Sequence, residues 1–208
     1  MKKHSEHVKF IYFDVGGVLL EFEHIRMQIP QQFGLNLQHY DQFMASIAHD
    51  RSIGKLSGQE LDVLFEQEFG AVFPSNFWSS AQFVEYFRPI ILMHDFVEEL
   101  ATHYRLGLLT NVSREIYERT QRDFAHLLYP PVDFEVRVTS FEEGVAKPDL
   151  EIYRRAIART GLAAEEILFI DDLPENIAAA QEVGMQGIVF ETKQPAKMVQ
   201  DLRQLLFH

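Results

Sequence analysis

Residues 10–20 read FIYFDVGGVLL, and this stretch decides the fold. The run from Phe10 to Phe13 is continuously apolar, which is typical of a strand covered on both faces in a parallel sheet. Asp14 follows at once, and Gly16 and Gly17 permit tight backbone geometry and the close approach of a ligand. We therefore predict a buried first strand whose carboxyl end carries a functional aspartate.

Three further apolar runs also lead into polar residues: Leu106 to Leu109 before Thr110, Phe134 to Val138 before Ser140, and Ile167 to Ile170 before Asp171. Apolar spacing of about 3.6 residues predicts the helices between and after them. These helices are His94 to Tyr104, Arg114 to Phe124, Leu150 to Thr160 and Glu175 to Val183, with Gly161 and Gly184 where C-terminal caps stand. The alternation predicts an α/β fold with a doubly wound, Rossmann-like parallel sheet.

An insertion follows the first strand. About 90 residues separate the first two strands, whereas a parallel crossover needs about a dozen. Ser57 and Glu60 have capping-box spacing, which indicates a helix inside the insertion. The segment is also rich in aromatic residues, which we interpret as a small core: Phe73, Phe77, Trp78, Phe83 and Phe87. We predict a Rossmann-like catalytic core at 1–20 and 89–208 and a helical cap at 21–88.

Composition limits the classes of partner. The chain has 208 residues, a formal charge of −12 and no cysteine, so we expect neither disulfides nor nucleic-acid binding. No apolar run approaches the ~20 residues of a membrane span, and no signal peptide is recognisable. We expect a cytoplasmic protein that does not bind membranes and is a monomer or a dimer. An acidic protein that handles phosphate also needs a local cation.

The polar residues at the strand ends suit phosphate chemistry. In open α/β sheets, ligands bind at the carboxyl ends of the strands. Asp171 and Asp172, with Asn176 nearby, offer the hard oxygen ligands that Mg²⁺ takes. Thr110 and Asn111 offer a hydroxyl, an amide and backbone N–H groups for phosphate oxygens.

Lys147 completes the set. Pro148 is predicted to occupy the first turn of the next helix, and the Lys147 ammonium would neutralise both a carboxylate nucleophile and a phosphoryl group. Taken singly, each residue is better explained as a turn, a cap or a solvated charge. Their combination at successive strand ends favours a functional site.

Four motifs in this order resemble the haloacid dehalogenase-like hydrolases, in their aspartate-nucleophile phosphatase branch. They are FDVGGVLL at 13–20, LLTNVS at 108–113, KPDLEIY at 147–153 and FIDDLPEN at 169–176. The insertion is similar in position to that family's helical cap. The resemblance implies hydrolysis of a small phosphorylated molecule through a phospho-aspartate on Asp14.

The resemblance also implies a role for each matched residue. The Asp14 carboxylate, the Gly16 carbonyl and Asp172 would hold Mg²⁺, and Asp171 would support the metal shell. The remaining roles are phosphate binding by Thr110 and the backbone N–H of Asn111, charge neutralisation by Lys147, and orientation of the metal site by Asn176.

The sequence departs from the family pattern at Gly16, where most phosphatases of this family have a second aspartate that acts as acid and base. General acid–base catalysis is typically worth ~10²–10⁴ in rate, so slow or specialised turnover is expected. The FDxGxV variant is similar to the subgroup that includes bacterial α-D-glucose-1-phosphate phosphatase. A sugar phosphate is therefore the first substrate suggested, with other small phosphate esters close behind.

Three alternatives remain open. A response-regulator receiver also phosphorylates an aspartate, but it has the acidic pair at its first strand. A family member without catalytic activity would use the cleft for binding or regulation. This alternative is suggested by Gly16, where the usual acid is missing. A hydrolytic dehalogenase would leave Asp171 and Asp172 without a purpose.

A few cationic residues are weaker candidates. Arg51 and Lys55, near a predicted turn of the cap, are expected either to reach the substrate or to be solvated. The nine histidines, among them His4 and His7, do not form a metal-binding pattern, and we predict that they are solvated.

Overall fold

Five parallel strands form one sheet in the spatial order β3-β2-β1-β4-β5. The computed structural model describes residues 7–70, 73–74, 77–79, 85–122 and 125–207. The strands are β1 (Phe10–Phe13), β2 (Arg105–Thr110), β3 (Val136–Thr139), β4 (Ile167–Asp171) and β5 (Gln186–Val189). All neighbouring strands pair in parallel, which confirms the predicted sheet.

The central strand β1 is buried on both faces, as its continuous apolar run predicts. Ile11 and Phe13 belong to one hydrophobic cluster, while Phe10 and Tyr12 belong to a second cluster on the opposite face. The neighbouring Gly107 of β2 makes room for those rings, because a Cβ there would lie 2.6 Å from Cε1 of Tyr12.

Ten helices accompany the sheet in the described part of the chain. They are α1 (Phe22–Phe33), α2 (Leu37–Ser52), α3 (Gly58–Phe69), α4 (Ile91–Leu100), α5 (Arg114–Arg122), α6 (Ala125–Leu128), α7 (Ser140–Glu143), α8 (Leu150–Thr160), α9 (Pro174–Glu182) and α10 (Pro195–Phe207). Helices α4 and α10 pack on one face of the sheet, and α8 and α9 pack on the other. Layers on both faces are what a doubly wound fold requires.

The helix boundaries agree with the sequence prediction to different degrees. Helix α8 has the predicted bounds, and Gly161 ends it in a left-handed conformation with φ 69°. Helix α4 ends at Leu100 instead of Tyr104, because residues 101–104 form a turn that leads into β2. The predicted helix at 114–124 is described only to Arg122, since residues 123 and 124 lie outside the described ranges.

The prediction that Pro148 occupies the first turn of a helix is wrong. Helix α8 begins at Leu150, and its N-cap is Asp149, whose carboxylate accepts a hydrogen bond from the Glu151 backbone N–H at 2.9 Å. An aspartate satisfies a free N–H at the helix start, which neither lysine nor proline can do. Pro148 therefore lies just before the cap.

Helices α1 to α3 lie in the insertion and share an aromatic core. The capping box of Ser57 and Glu60 is present at the start of α3. Phe65 of α3 is fully buried, and its ring centroid lies 4.8 Å from that of Phe43 and 4.4 Å from that of Trp78. The predicted aromatic core is confirmed for four of the five aromatics, Phe73, Phe77, Trp78 and Phe87, whereas Phe83 lies outside the described residues.

Candidate active site

Three carboxylates meet at the carboxyl ends of β1 and β4. Asp14 follows β1 directly, Asp171 is the last residue of β4, and Asp172 comes next. The two strand ends lie side by side because β1 pairs with β4, with Phe13 opposite Ile170. One oxygen from each carboxylate lies within 4.8 Å of the other two. The topology thus concentrates negative charge at one point of the sheet edge.

The ammonium group of Lys147 lies between two of these carboxylates. Its Nζ is 3.0 Å from Oδ1 of Asp14 and 2.6 Å from Oδ2 of Asp171. Only 1% of the Lys147 side chain is exposed. Burial by itself would lower the pKa of Lys147, but the two carboxylates outweigh burial and raise the pKa above its ordinary value. The lysine therefore remains a buried cation at neutral pH.

Asp171 has donors on both of its oxygens. Besides Lys147, the side-chain amide of Asn176 donates at 3.0 and 3.1 Å, and the backbone N–H of Leu173 donates at 2.8 Å. The carboxylate is completely buried. Because both oxygens have donors, Asp171 is suited to hold Lys147 and the loop that follows β4 in place.

Asp14 has one occupied oxygen and one open oxygen. The backbone N–H of Val15 donates to Oδ1 at 2.7 Å, and Lys147 is bound to the same atom. Among the described residues, no hydrogen bond to Oδ2 is found. An ionised oxygen without a donor is available either to attack an electrophile or to bind a cation.

This cluster of carboxylates resists full ionisation. Burial raises the pKa of Asp14 to about 7, with Lys147 opposing the rise and Asp171 adding to it. Burial, followed by the charge of Asp171, raises the pKa of Asp172 to about 6. Like charges that share a desolvated site disfavour one another's ionised forms. A divalent cation in this cluster would relieve that repulsion.

Gly17 allows Asp172 to approach the β1 loop. A Cβ on Gly17 would lie 2.2 Å from Oδ2 of Asp172, a distance that no side chain tolerates, and its φ of +78° is itself unfavourable for other residues. The carbonyl of Gly17 accepts a hydrogen bond from the Thr192 hydroxyl at 2.8 Å. Sequence reasoning noted the glycine pair but missed Thr192, because nothing in a lone threonine indicates a partner so distant in the chain.

Thr110 and Asn111 lie at the end of β2, beside β1. The side-chain amide of Asn111 donates to the Lys147 carbonyl at 2.9 Å and accepts from the Lys147 backbone N–H at 2.9 Å. The amide oxygen and one of the two amide N–H groups of Asn111 thus anchor the lysine loop. The second amide N–H, the Thr110 hydroxyl and the backbone N–H groups remain predicted phosphate contacts.

Ser140 was not predicted as a site residue, yet it joins the insertion to the β2 loop. Its hydroxyl donates to the Ser52 carbonyl at the end of α2, at 2.6 Å, and accepts from the Val112 backbone N–H at 3.0 Å. The residue is completely buried.

A cavity of about 150 Å³ opens beside this site, between the β1 and β2 loops and helices α1, α2 and α5. Gly16, Thr110 and Asn111 border it on the sheet side, and Arg51 borders it from α2. Burial lowers the pKa of the Arg51 guanidinium, which the nearby Tyr40 partly opposes. Lys55 does not line the cavity. It is exposed, and its Nζ lies 3.6 Å from Oδ1 of Asp50.

The four motifs thus bring their residues to a single edge of the sheet. A model of the haloacid dehalogenase-like hydrolases matches residues 8–184. The chain belongs to this family. The resemblance predicted from the motifs is confirmed at that level.

Individual proteins are similar to this family member to different extents. The sesquiterpene phosphatase of Aspergillus oryzae is 28% identical over 213 residues, which cover 95% of this chain and 96% of that protein. The glyceraldehyde 3-phosphate phosphatase of Methanocaldococcus jannaschii is 32% identical over 91 residues, which cover 43% of this chain and 38% of that protein.

The fold is shared with solved structures of the family. A HAD family enzyme from Bacteroides thetaiotaomicron was crystallised as an aspartate-to-alanine mutant with magnesium and inorganic phosphate. It has a TM-score of 0.73 to this chain at 21% identity, over 89% of this chain and 95% of that chain. This likeness concerns the architecture.

The acidic cluster of this hydrolase fits Mg²⁺. The ion prefers carboxylate and carbonyl oxygens, and Asp14, Asp171 and Asp172 present them within 4.8 Å of one another. Within the described ranges, no helix is both long and apolar enough to cross a membrane.

The prediction of solvated histidines is wrong for His94. This residue is buried on α4, and its Nε2 lies 3.0 Å from the Leu19 carbonyl. Burial lowers the pKa of its imidazole, so His94 is a neutral core residue. His7 is exposed, and His4 lies outside the described residues.

Proposed function

We propose that this hydrolase is a magnesium-dependent phosphatase that cleaves a small phosphate monoester through a phospho-aspartate on Asp14. The main supporting observation is the environment of Asp14. One oxygen is held by Lys147 at 3.0 Å and by a backbone N–H at 2.7 Å, while the other has no hydrogen bond among the described residues. This is the arrangement that a carboxylate nucleophile needs.

In the first step, Oδ2 of Asp14 attacks phosphorus and the bond from phosphorus to the ester oxygen breaks. Thr110, the backbone N–H of Asn111 and Lys147 bind the phosphoryl oxygens and compensate their charge. In the second step, water attacks phosphorus, the bond to Asp14 breaks, and phosphate leaves. Bound Mg²⁺ would supply further charge neutralisation between the carboxylates and the phosphoryl group. Asp14, Asp172 and the Gly16 carbonyl would hold it, with Asp171 and Asn176 as the supporting pair.

Gly16 cannot protonate the leaving oxygen, so water must deliver that proton. General acid–base catalysis by a side chain is worth ~10²–10⁴ in rate, and its absence predicts modest turnover or a substrate with a good leaving group. The sugar phosphate suggested by the FDxGxV variant meets the second condition. The printed functions of the two curated relatives, a sesquiterpene phosphatase and a glyceraldehyde 3-phosphate phosphatase, support phosphate-ester hydrolysis in general.

We also propose that residues 21–88 form a cap over the site and that the core comprises 1–20 and 89–208. The insertion has an aromatic core of its own, and it contacts the core domain through the Ser52 carbonyl and the Gly58 N–H, which donates to Glu115 at 3.2 Å. Arg51, on the cavity wall, is the proposed cap residue that recognises the anionic substrate. Lys55 would do so only by moving away from Asp50.

A binding or regulatory protein without turnover is the second candidate, and Gly16 is the observation that favours it. A panel of phosphate esters with Mg²⁺ separates the two, with Asp14→Asn as the control. Phosphate release that disappears in Asp14→Asn supports the phosphatase. If neither protein releases phosphate from any ester, the binding function is supported instead.

A further inference from the structure

The cavity beside the proposed nucleophile has a lining of a particular chemical kind. It is continuous with the site, since Gly16, Thr110 and Asn111 form part of its wall. Its remaining wall is mainly aliphatic and aromatic, with contributions from Ile25, Tyr40, Met44, Trp78 and Ile116. A substrate whose phosphoryl group lies at Asp14 would therefore place its leaving group against apolar side chains.

Several polar side chains of the wall are engaged within the protein. Arg26 binds Asp41 through two hydrogen bonds of 2.9 and 2.5 Å. Thr120 donates to the Tyr117 carbonyl at 3.1 Å. A sugar would bring several hydroxyl groups into this space, and most would lose water without gaining a partner. An alkyl or aromatic group has no such requirement.

Arg51 differs from Arg26, the other arginine of the wall. In the part of the chain that the structure describes, no acidic side chain pairs with it, and burial lowers the pKa of its guanidinium. An unpaired cation on the same wall as Thr110 suits the phosphoryl group and not an uncharged tail. The cavity is thus polar where a phosphoryl group would lie and apolar beyond it.

The size of the cavity limits the group that it encloses. A cavity of about 150 Å³ with an apolar lining accommodates a molecule of roughly the size of benzene. A leaving group of about six carbons would fill it, and longer chains would extend beyond it.

We propose that the substrate is the phosphate monoester of an apolar alcohol, whose first six or so carbons occupy this cavity. This inference rests on the proposed function and names the substrate class of the same site. It differs from the sugar phosphate that the sequence variant suggests.

The test is a homologous series of n-alkyl phosphates from methyl to octyl, assayed with Mg²⁺. Primary alkanols have nearly the same acidity, so the chemistry of the leaving group is constant along the series. The expected result is a rise in kcat/KM of about fourfold for each methylene, equivalent to about 0.8 kcal/mol, which levels off near six carbons. A flat series, or glucose 1-phosphate and glycerol 3-phosphate cleaved faster than hexyl phosphate, would overturn the proposal.

Two variants locate the effect in the cavity. Ile116→Ala enlarges the cavity, so the plateau of kcat/KM should move to alkyl chains that are two or three carbons longer. Ile157→Ala is the matched control, since Ile157 is also partly buried but belongs to the cluster under α8. An unchanged plateau in Ile116→Ala, or an equal shift in both variants, contradicts the assignment.

Binding of n-alkyl phosphonates, which are not hydrolysed, separates the two proposals. Affinity that rises with chain length in a protein without turnover would support the apolar site and reject the phosphatase. Hydrolysis of all esters at one rate, with phosphonate affinity independent of chain length, would support the phosphatase and reject the apolar site.

Discussion

Substituting Gly17 by alanine should disable the site through Asp172. The added Cβ would lie 2.2 Å from Oδ2 and 2.3 Å from Cγ of Asp172. Ordinary carbon–oxygen contact requires the carboxylate to withdraw by about 1 Å, and displacements of that size in an active site cost about 10²-fold in rate. We therefore expect kcat/KM to fall about 100-fold and the Mg²⁺ concentration for half-maximal activity to rise about 10–100-fold.

A second cost of this substitution comes from the backbone. Gly17 has φ +78°, a conformation in which a side chain costs about 1–2 kcal/mol. Gly144 provides the matched control, because its φ is +65° and a Cβ there would have nothing within 4 Å. Gly144→Ala should therefore carry the same backbone cost without touching the carboxylates.

The assay compares both variants with the wild-type protein in three measurements: kcat/KM at saturating Mg²⁺, a Mg²⁺ titration of activity, and the rise in Tm on adding Mg²⁺. Both variants should lose about 2–4 °C in Tm for each kcal/mol. Only Gly17→Ala should lose activity and the Mg²⁺-dependent rise in Tm. Wild-type activity and Mg²⁺ response in Gly17→Ala would refute the contact argument.

Three further predictions concern neighbouring groups. Because burial raises the pKa of Asp14 to about 7 and of Asp172 to about 6, the folded metal-free protein binds more protons than the unfolded chain between about pH 4 and 7. Its free energy of unfolding should fall over that window by about 1–3 kcal/mol, as measured by urea unfolding in EDTA; equal slopes in wild type and Asp14→Asn would count against it. Gly16→Asp should raise kcat if proton transfer to the leaving group limits turnover, and an unchanged or lower kcat would exclude that limit. Tyr153→Phe should raise the free energy of unfolding by about 1 kcal/mol, because the buried Tyr153 hydroxyl has no hydrogen-bond partner among the described residues; a lower Tm would contradict this prediction.

The sequence predicted the sheet because its strands have a simple signature. The runs at β1 and β4 are continuously apolar and end in acids, so burial and function could be inferred from the same few residues. Strand β5 was missed, because Gln186 and Gly187 interrupt its apolar character and no polar functional residue marks its end.

The candidate site was predictable for residues whose position follows from a strand end. Asp14 and Asp171 met because β1 and β4 pair. The hydrogen bonds that support the site were not predictable, since they join residues far apart in the chain: Thr192 to Gly17 over 175 positions, and Ser140 to Ser52 over 88. Serine and threonine are common on surfaces, so neither spacing nor residue type distinguishes these two from solvated ones.

Ser140 has a consequence for any separation of the insertion from the sheet. Its hydroxyl carries a single proton but has two carbonyl oxygens within reach, that of Ser52 at 2.6 Å and that of Val112 at 3.4 Å. If α2 withdrew, rotation about the Ser140 side-chain torsion would redirect the hydroxyl hydrogen bond from the Ser52 carbonyl to the Val112 carbonyl. At this contact, withdrawal of α2 would then cost one good hydrogen bond, without the larger penalty of an orphaned hydroxyl group.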